Sequence, residues 1–282
     1  MGLFSGLEKF GLGKYAEASL MEDKRSSVRD INELEKKKAP EKKEEDILFD
    51  KRFICPVCDL EFKTKCVRAG KLKLLEKDTD LRPVYEVCDA NKYDVITCDK
   101  CGYSSVTRYF GKLSVRQMKD IKTQIGDNFS GIDNSMDVFS YDDAILRYKL
   151  ALVTSVIKKA KNSEKAYTCL KMAWVIRGKR LSLDPKDTGI KQLYAEEMEC
   201  ITNAYNCFVE ALANETLPIA GMDENTVKYL MAELARKLKK FEDSAKLLGE
   251  VITSKTTHTR LKEEALNVKE LLKEDIKKYN NK

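Results

Sequence analysis

Two Cys-x-x-Cys motifs decide the fold of this chain, Cys55-Pro-Val-Cys58 and Cys98-Asp-Lys-Cys101. A structural zinc site takes four nitrogen or sulfur ligands in a tetrahedron, and each Cys-x-x-Cys turn supplies two thiolates from one tight loop. Pro56 and Gly102 suit these turns, because Pro fixes φ and Gly adopts positive φ without strain. The four cysteines therefore predict one structural zinc ion in a closed site, with no position for a catalytic water.

The interval between the two pairs is longer than in many zinc ribbons. Thirty-nine residues separate Cys58 from Cys98, where about 15–20 are common. Alternating segments at 61–67 and 71–77 lie in this interval, a third at 93–97 leads into the second pair, and Asp78 to Asp80 has the composition of a turn. The sequence therefore predicts a zinc-ribbon-like domain with an enlarged sheet.

Two further cysteines lie inside this interval. Cys66 and Cys88 can be additional ligands, disulfide partners or packing residues. Cys66 shares a strand face with Phe62 and Thr64, which favours packing. The single histidine of the chain, His258, lies in the last predicted helix and is expected at the surface.

Thiol oxidoreductases also use Cys-x-x-Cys motifs, placed where a helix start lowers the thiol pKa. Both pairs here adjoin strand patterns, which favours a structural metal and leaves a thiol-redox or zinc-release sensor as an alternative. The sequence contains no glycine-rich phosphate loop and no serine-centred elbow, and one histidine argues against a Ser-His-Asp or Cys-His set. We therefore expect a protein that is not an enzyme.

A run of basic residues crosses the predicted ribbon: Lys63, Lys65, Arg68, Lys71 and Lys73. Such a run can contact nucleic-acid phosphates or an acidic partner. Residues 47–113 contain thirteen Lys or Arg against ten Asp or Glu, and a zinc tetrathiolate adds a charge of about −2. This near balance favours a solvated strand face and keeps a nucleic-acid-binding ribbon as the first alternative.

Composition divides the chain into three segments. Residues 1–46 mix charges of both signs and predict a flexible arm, within which 26–38 can form a helix. Residues 47–113 form the predicted zinc-ribbon-like domain. Residues 114–282 have helical periodicity, with one helix from Ser114 to about Ile125 and others over about 141–160, 164–181, 189–214, 223–238, 241–253 and 257–279. The predicted fold class is α+β.

An Ala-x-x-x-aromatic-x-x-Ala spacing recurs in the helical segment. Its copies are Ala144, Tyr148 and Ala151, then Ala204, Phe208 and Ala211, and more weakly Ser244, Leu248 and Val251. In a tetratricopeptide repeat, the small residues of the second helix let its partner approach, and the aromatic side chain fills the groove. The copies lie 60 and 40 residues apart, so we expect irregular helical hairpins, with an ordinary bundle as the alternative.

Charge and hydropathy favour an intracellular protein. The net charge of +6 over 282 residues is mild. The apolar start from Met1 is cut short by Glu8 and Lys9 before it reaches the length of a signal peptide, and no stretch approaches the roughly 18 apolar residues of a membrane span. We predict a cytoplasmic protein without an integral membrane segment, in which cysteines bind metal instead of forming disulfides.

In combination, these motifs resemble the bacterial family catalogued as domain of unknown function 2225. The resemblance covers residues 48–253 and is carried by Phe49 to Cys58, Phe62 to Arg68, Tyr93 to Val95, Cys98 to Tyr103, and Ala144 to Ala151. It implies an intracellular bacterial protein with a four-cysteine, zinc-ribbon-like head and a tetratricopeptide-like helical body. It implies no known activity. We expect a non-enzymatic adaptor whose helical groove binds a peptide or helix of a partner protein.

Overall fold

The computed structural model describes residues 43–281 of the chain. The predicted arm, with its helix over 26–38, lies outside the described residues except for its last four. Glu44–Ile47 form a 3₁₀ turn, and Ile47 is buried. From Lys43 onward the chain forms one compact unit.

Within residues 43–281, six short strands form three antiparallel ribbons. β1 (Leu48–Ile54) pairs with β2 (Glu61–Val67), β3 (Leu74–Lys77) with β4 (Pro83–Tyr85), and β5 (Val95–Thr97) with β6 (Ser104–Val106). The predicted strand at 61–67 is confirmed, whereas those at 71–77 and 93–97 begin later, after 3₁₀ turns. The three ribbons also remain separate two-stranded sheets instead of joining into one enlarged sheet, because the chain between β3 and β4 is held by the helices, as described below.

In the described part of the chain, seven α-helices follow the ribbons, and their positions agree with the predicted ones to within a few residues. They are α1 (Val115–Gln124), α2 (Tyr141–Ile157), α3 (Asn162–Ser182), α4 (Gly189–Asn214), α5 (Glu224–Lys237), α6 (Phe241–Thr253) and α7 (Thr259–Asn280). Ser114 and Ser140 begin α1 and α2 with capping boxes, which satisfy backbone amides that lack a helical partner. The α+β class is confirmed. Within residues 43–281, every helix is too short or too polar to cross a membrane.

The repeated spacing marks the packing face of three helices. All nine of its residues, in α2, α4 and α6, are buried. α4 packs against α3, and α6 packs against α5 and α7. Small and apolar side chains on these faces allow close approach, so α3–α4 and α5–α6 form the two predicted hairpins.

α2 has a different partner from the other two marked helices. It packs against α3 and against the β5–β6 ribbon, which occupies the place of a first helix. The Tyr148 hydroxyl donates to the Asn91 carbonyl at 3.0 Å, and Val95 and Val106 belong to the same apolar core as Ala144. The ribbon that carries the second cysteine pair is therefore part of the helical core.

Candidate metal centre and interhelical cleft

The two cysteine pairs meet in one cluster. The Sγ atoms of Cys55, Cys58, Cys98 and Cys101 all lie within 4.8 Å of one another. Cys55 and Cys101 are 3.5 Å apart at Sγ, and Cys58 and Cys98 are 3.6 Å apart. A tetrahedral site with Zn–S distances of about 2.3 Å has S–S edges of about 3.8 Å. The cysteines are free thiols, so the arrangement can hold a metal ion.

Each pair closes one ribbon with the same turn. The Cys55 amide donates to the Leu60 carbonyl, and the Cys98 amide donates to the Tyr103 carbonyl, both at 2.9 Å. The Asp59 amide donates to the Cys55 carbonyl at 2.9 Å, and the Gly102 amide donates to the Cys98 carbonyl at 3.1 Å. The fifth residue of each turn has positive φ, 55° at Asp59 and 68° at Gly102. The first turn joins β1 to β2 and the second joins β5 to β6.

Substitutions at the equivalent positions Asp59 and Gly102 are expected to differ widely in their effect on stability. Gly102→Ala places a non-glycine residue at positive φ and brings its Cβ to 2.6 Å from the Phe129 ring. We expect it to lower the free energy of unfolding by about 3 kcal/mol. Asp59→Gly removes a side chain from the same conformation and should change stability by less than about 1 kcal/mol. Urea denaturation of both variants checks this, and equal losses would contradict it.

Apolar side chains surround the cysteine cluster. Cys55, Cys98 and Cys101 are buried and Cys58 is half-buried. Phe62 from β2, Tyr103 next to the second pair, and Ile121 and Ile125 at the end of α1 pack in the same core. Four cysteine sulfurs are enough to complete a tetrahedral site, and the cluster includes no histidine or carboxylate among the described residues. Such a set is closed in the way that structural sites are.

Hydrogen bonds within the cysteine cluster shift the pKa values of Cys98 and Cys55 in opposite directions. The thiolate of Cys98 accepts hydrogen bonds from Cys101 and Cys55, which lowers its pKa to about 2. The pKa of Cys55 is raised, because its hydrogen bonds to Cys101 and Cys98 favour the protonated form and burial adds to this. Cysteine binds metal as the thiolate, so a divalent cation would release thiol protons as it binds.

The other cysteines and the histidine lie outside the cluster. Cys66 is half-buried on β2, opposite Phe49 on β1, and Cys88 is buried. Burial raises the pKa of Cys88 to about 12, so this thiol remains protonated at neutral pH. His258 is exposed at the start of α7.

The predicted basic run is largely engaged within the protein. Lys63 has no ion pair among the described residues. Each of the other four residues contacts another part of the protein: Lys65 pairs with Asp50, Arg68 lies over the Phe49 ring, Lys71 donates to the Asp46 carbonyl, and Lys73 pairs with Glu86. Lys63 and Lys65 lie on the outer face of β2, away from buried Phe62 and Thr64. These contacts add no support to a phosphate-binding face.

A cleft of about 1010 Å³ lies where α3, α5 and α7 end and α4 and α6 begin. We call it the interhelical cleft. Its apolar lining consists of Tyr194, Met198, Phe241 and Tyr279. Its cationic lining consists of Lys77, Arg177, Arg180, Arg236, Lys237, Lys239 and Lys278. The cleft also includes Lys77 at the end of β3.

A buried ion network forms the floor of the cleft. Asp80 is completely buried between Arg177, at 3.0 Å, and Lys237, at 2.7 Å. Arg177 also donates to Asp78 at 2.7 Å and to Glu197 at 2.7 Å. Buried charges are tolerated only when paired and hydrogen-bonded in this way. The network ties the loop after β3 to α3, α4 and α5.

Thr79 completes this attachment. Its hydroxyl donates to Glu233 at 2.6 Å, and its carbonyl accepts from the Tyr229 hydroxyl at 2.8 Å. Glu233 is completely buried and is also paired with Arg236. The sequence predicts the turn at residues 78–80 but not this role of Thr79, because a local pattern carries no signal for partners in distant helices.

A family model matches residues 48–272, which include the four cysteines and α1 to α6. This range extends beyond residue 253, where the resemblance found in the sequence ends, and covers most of α7. No curated protein and no solved structure matches the chain. The chain therefore belongs to the family described as "Uncharacterized protein conserved in bacteria", domain of unknown function 2225.

Proposed function

We propose that the protein is a non-enzymatic adaptor of the bacterial cytoplasm, with a structural zinc ion in its head and a partner-binding cleft in its helical body. The zinc assignment is supported by the sulfur spacings and by two identical turns that present four thiolates. Tetrahedral sulfur sets of this type select zinc or iron. A closed zinc site stabilises the fold and reserves no coordination position for substrate.

The single observation that carries the adaptor role is the interhelical cleft. It is open to solvent, its volume is about 1010 Å³, and none of the four cysteines lines it. Tyr194 and Tyr279 in its wall are 52% and 58% exposed. Aromatic side chains displayed on a rigid helical scaffold are typical anchors for a peptide or helix of another protein. The metal centre supports the scaffold, and the cleft binds the partner.

Photocrosslinking in living bacteria tests the adaptor role. We expect p-benzoylphenylalanine in place of Tyr194 to crosslink a small set of proteins through one peptide segment of each, identified by mass spectrometry. The matched control carries the same crosslinker in place of Leu266 on α7, which is 47% exposed and does not line the cleft. Identical crosslinked products at both positions, or none at position 194, would argue against a partner-binding cleft.

A further inference from the structure

The cations of the interhelical cleft divide into two groups. Arg177, Arg180, Arg236 and Lys237 are paired with buried carboxylates at the floor. Lys77, Lys239 and Lys278 are exposed at the rim. Among the described residues, the rim group has one ion pair, from Lys278 to Glu274 at 3.9 Å, with both side chains mostly exposed. An exposed pair of this length holds its lysine weakly.

The carboxylates that line the cleft are already engaged. Asp78 accepts from Arg177, Glu197 from Arg177 and Arg180, and Asp275 from Arg236. These pairs satisfy the acidic groups inside the protein, while the rim ammonium groups keep hydrogen-bond donors free. A molecule that enters the cleft therefore meets available positive charge and no unpaired carboxylate.

The aromatic walls are held in position before any ligand binds. Phe241 and Tyr279 form an edge-to-face pair with ring centroids 5.7 Å apart. The Lys239 ammonium lies 5.8 Å from the centroid of Tyr279, and the Arg180 guanidinium lies 5.6 Å from that of Tyr194. Contacts of this kind fix ring orientation, so an apolar side chain can pack on them at little entropic cost.

We propose that the cleft binds an acidic peptide segment with an apolar or aromatic anchor residue. The anchor packs on the walls formed by Met198, Phe241 and the two tyrosines, and the flanking carboxylates pair with the rim lysines. The volume of about 1010 Å³ is at the upper end of small-ligand pockets, which suits several peptide residues better than one free anion. This inference rests on the proposed adaptor role and specifies the chemistry of the partner.

Selection from a random dodecapeptide display library on the full-length, metal-loaded protein tests this inference. We expect the selected peptides to be rich in Asp and Glu around an apolar residue. A fluorescein-labelled winning peptide should bind about tenfold more weakly to the triple variant Lys77→Gln, Lys239→Asn, Lys278→Gln, as expected for three exposed ion pairs. Asn is chosen at position 239 because Lys239 has a φ of 60°, a left-handed conformation that Asn adopts more readily than Gln. Salt should weaken binding to the wild type more than to the variant.

Lys63→Gln is the matched control, because Lys63 is exposed, lies outside the cleft and has no ion pair among the described residues. It should bind the winning peptide as the wild type does. Selected peptides without an acidic excess would overturn the proposed partner chemistry and leave the adaptor role intact. Failure to select any peptide would overturn both. Displacement of the peptide by inorganic phosphate at equal concentration would show a free-anion site and overturn the peptide proposal.

Discussion

We expect a variant in which Cys98 and Cys101 are both replaced by serine to contain almost no zinc, and we expect the wild type to contain one zinc ion per chain. Two serine hydroxyls cannot replace two thiolates, and the remaining pair holds only half of a tetrahedron. Structural zinc contributes on the order of 10 kcal/mol of folding free energy in small zinc domains. Elemental analysis should therefore show loss of metal, and circular dichroism should show that the variant has less secondary structure than the wild type.

The matched control for this experiment is Cys66→Ser. Cys66 is half-buried on β2 and lies outside the cysteine cluster, so the variant should retain one zinc ion per chain. Near-zero zinc in the wild type and in both variants would reject the zinc site. Stoichiometric iron in place of zinc would keep the four-thiolate site and correct the identity of the metal.

Asp80→Asn is expected to lower the free energy of unfolding by about 3–5 kcal/mol, because it leaves the buried Arg177 and the half-buried Lys237 without their shared carboxylate. Asp80 has no exposed surface, and Arg177 and Lys237 both donate to it. Urea denaturation at neutral pH measures the loss. Glu61→Gln is the control, because the Arg52–Glu61 pair lies at the surface with both side chains more than half exposed. This variant should differ from the wild type by less than about 1 kcal/mol.

The same residue gives the wild type a characteristic response to acid. Burial alone raises the pKa of Asp80, but hydrogen bonds from Arg177 and the charge of Lys237 outweigh it and hold that pKa well below its usual range. The folded protein then binds this proton less readily than the unfolded chain. The stabilisation is complete above the unfolded-state pKa, near about 4, and is lost as the pH falls below that value. Asp80→Asn should show a shallower loss of stability in this range, and an unchanged slope would contradict the assignment.

Features set by neighbouring residues could be predicted from the sequence. The limits of α4 and α6 agree with the predicted ones. Pro185 precedes α4 and Pro218 follows it, so both ends of α4 carry a local signal. The four metal-site cysteines followed from two short motifs. The structural equivalence of Asp59 and Gly102 could also be predicted from the sequence, since each directly follows the second cysteine of its pair.

Features set by distant residues could not be predicted in this way. Asp80 pairs with Arg177 and Lys237, which are 97 and 157 positions away in the chain. A carboxylate in a turn has the same local pattern whether it is solvated or buried. The separation of the ribbons has the same origin, because attachment of residues 78–80 to the helices fixes where β3 and β4 lie. Only the three-dimensional contacts identify these residues as part of the cleft.

The contact between α2 and the β5–β6 ribbon also restricts how the sequence can change over evolution. Val95 and Val106 pack in the same core as Ala144 and Tyr148. A larger side chain on either side of this seam requires a smaller one on the other, since the core has no space to absorb it. We therefore expect substitutions across the seam to occur as compensating pairs. The head cannot be exchanged between relatives as an independent module unless α2 is transferred with it.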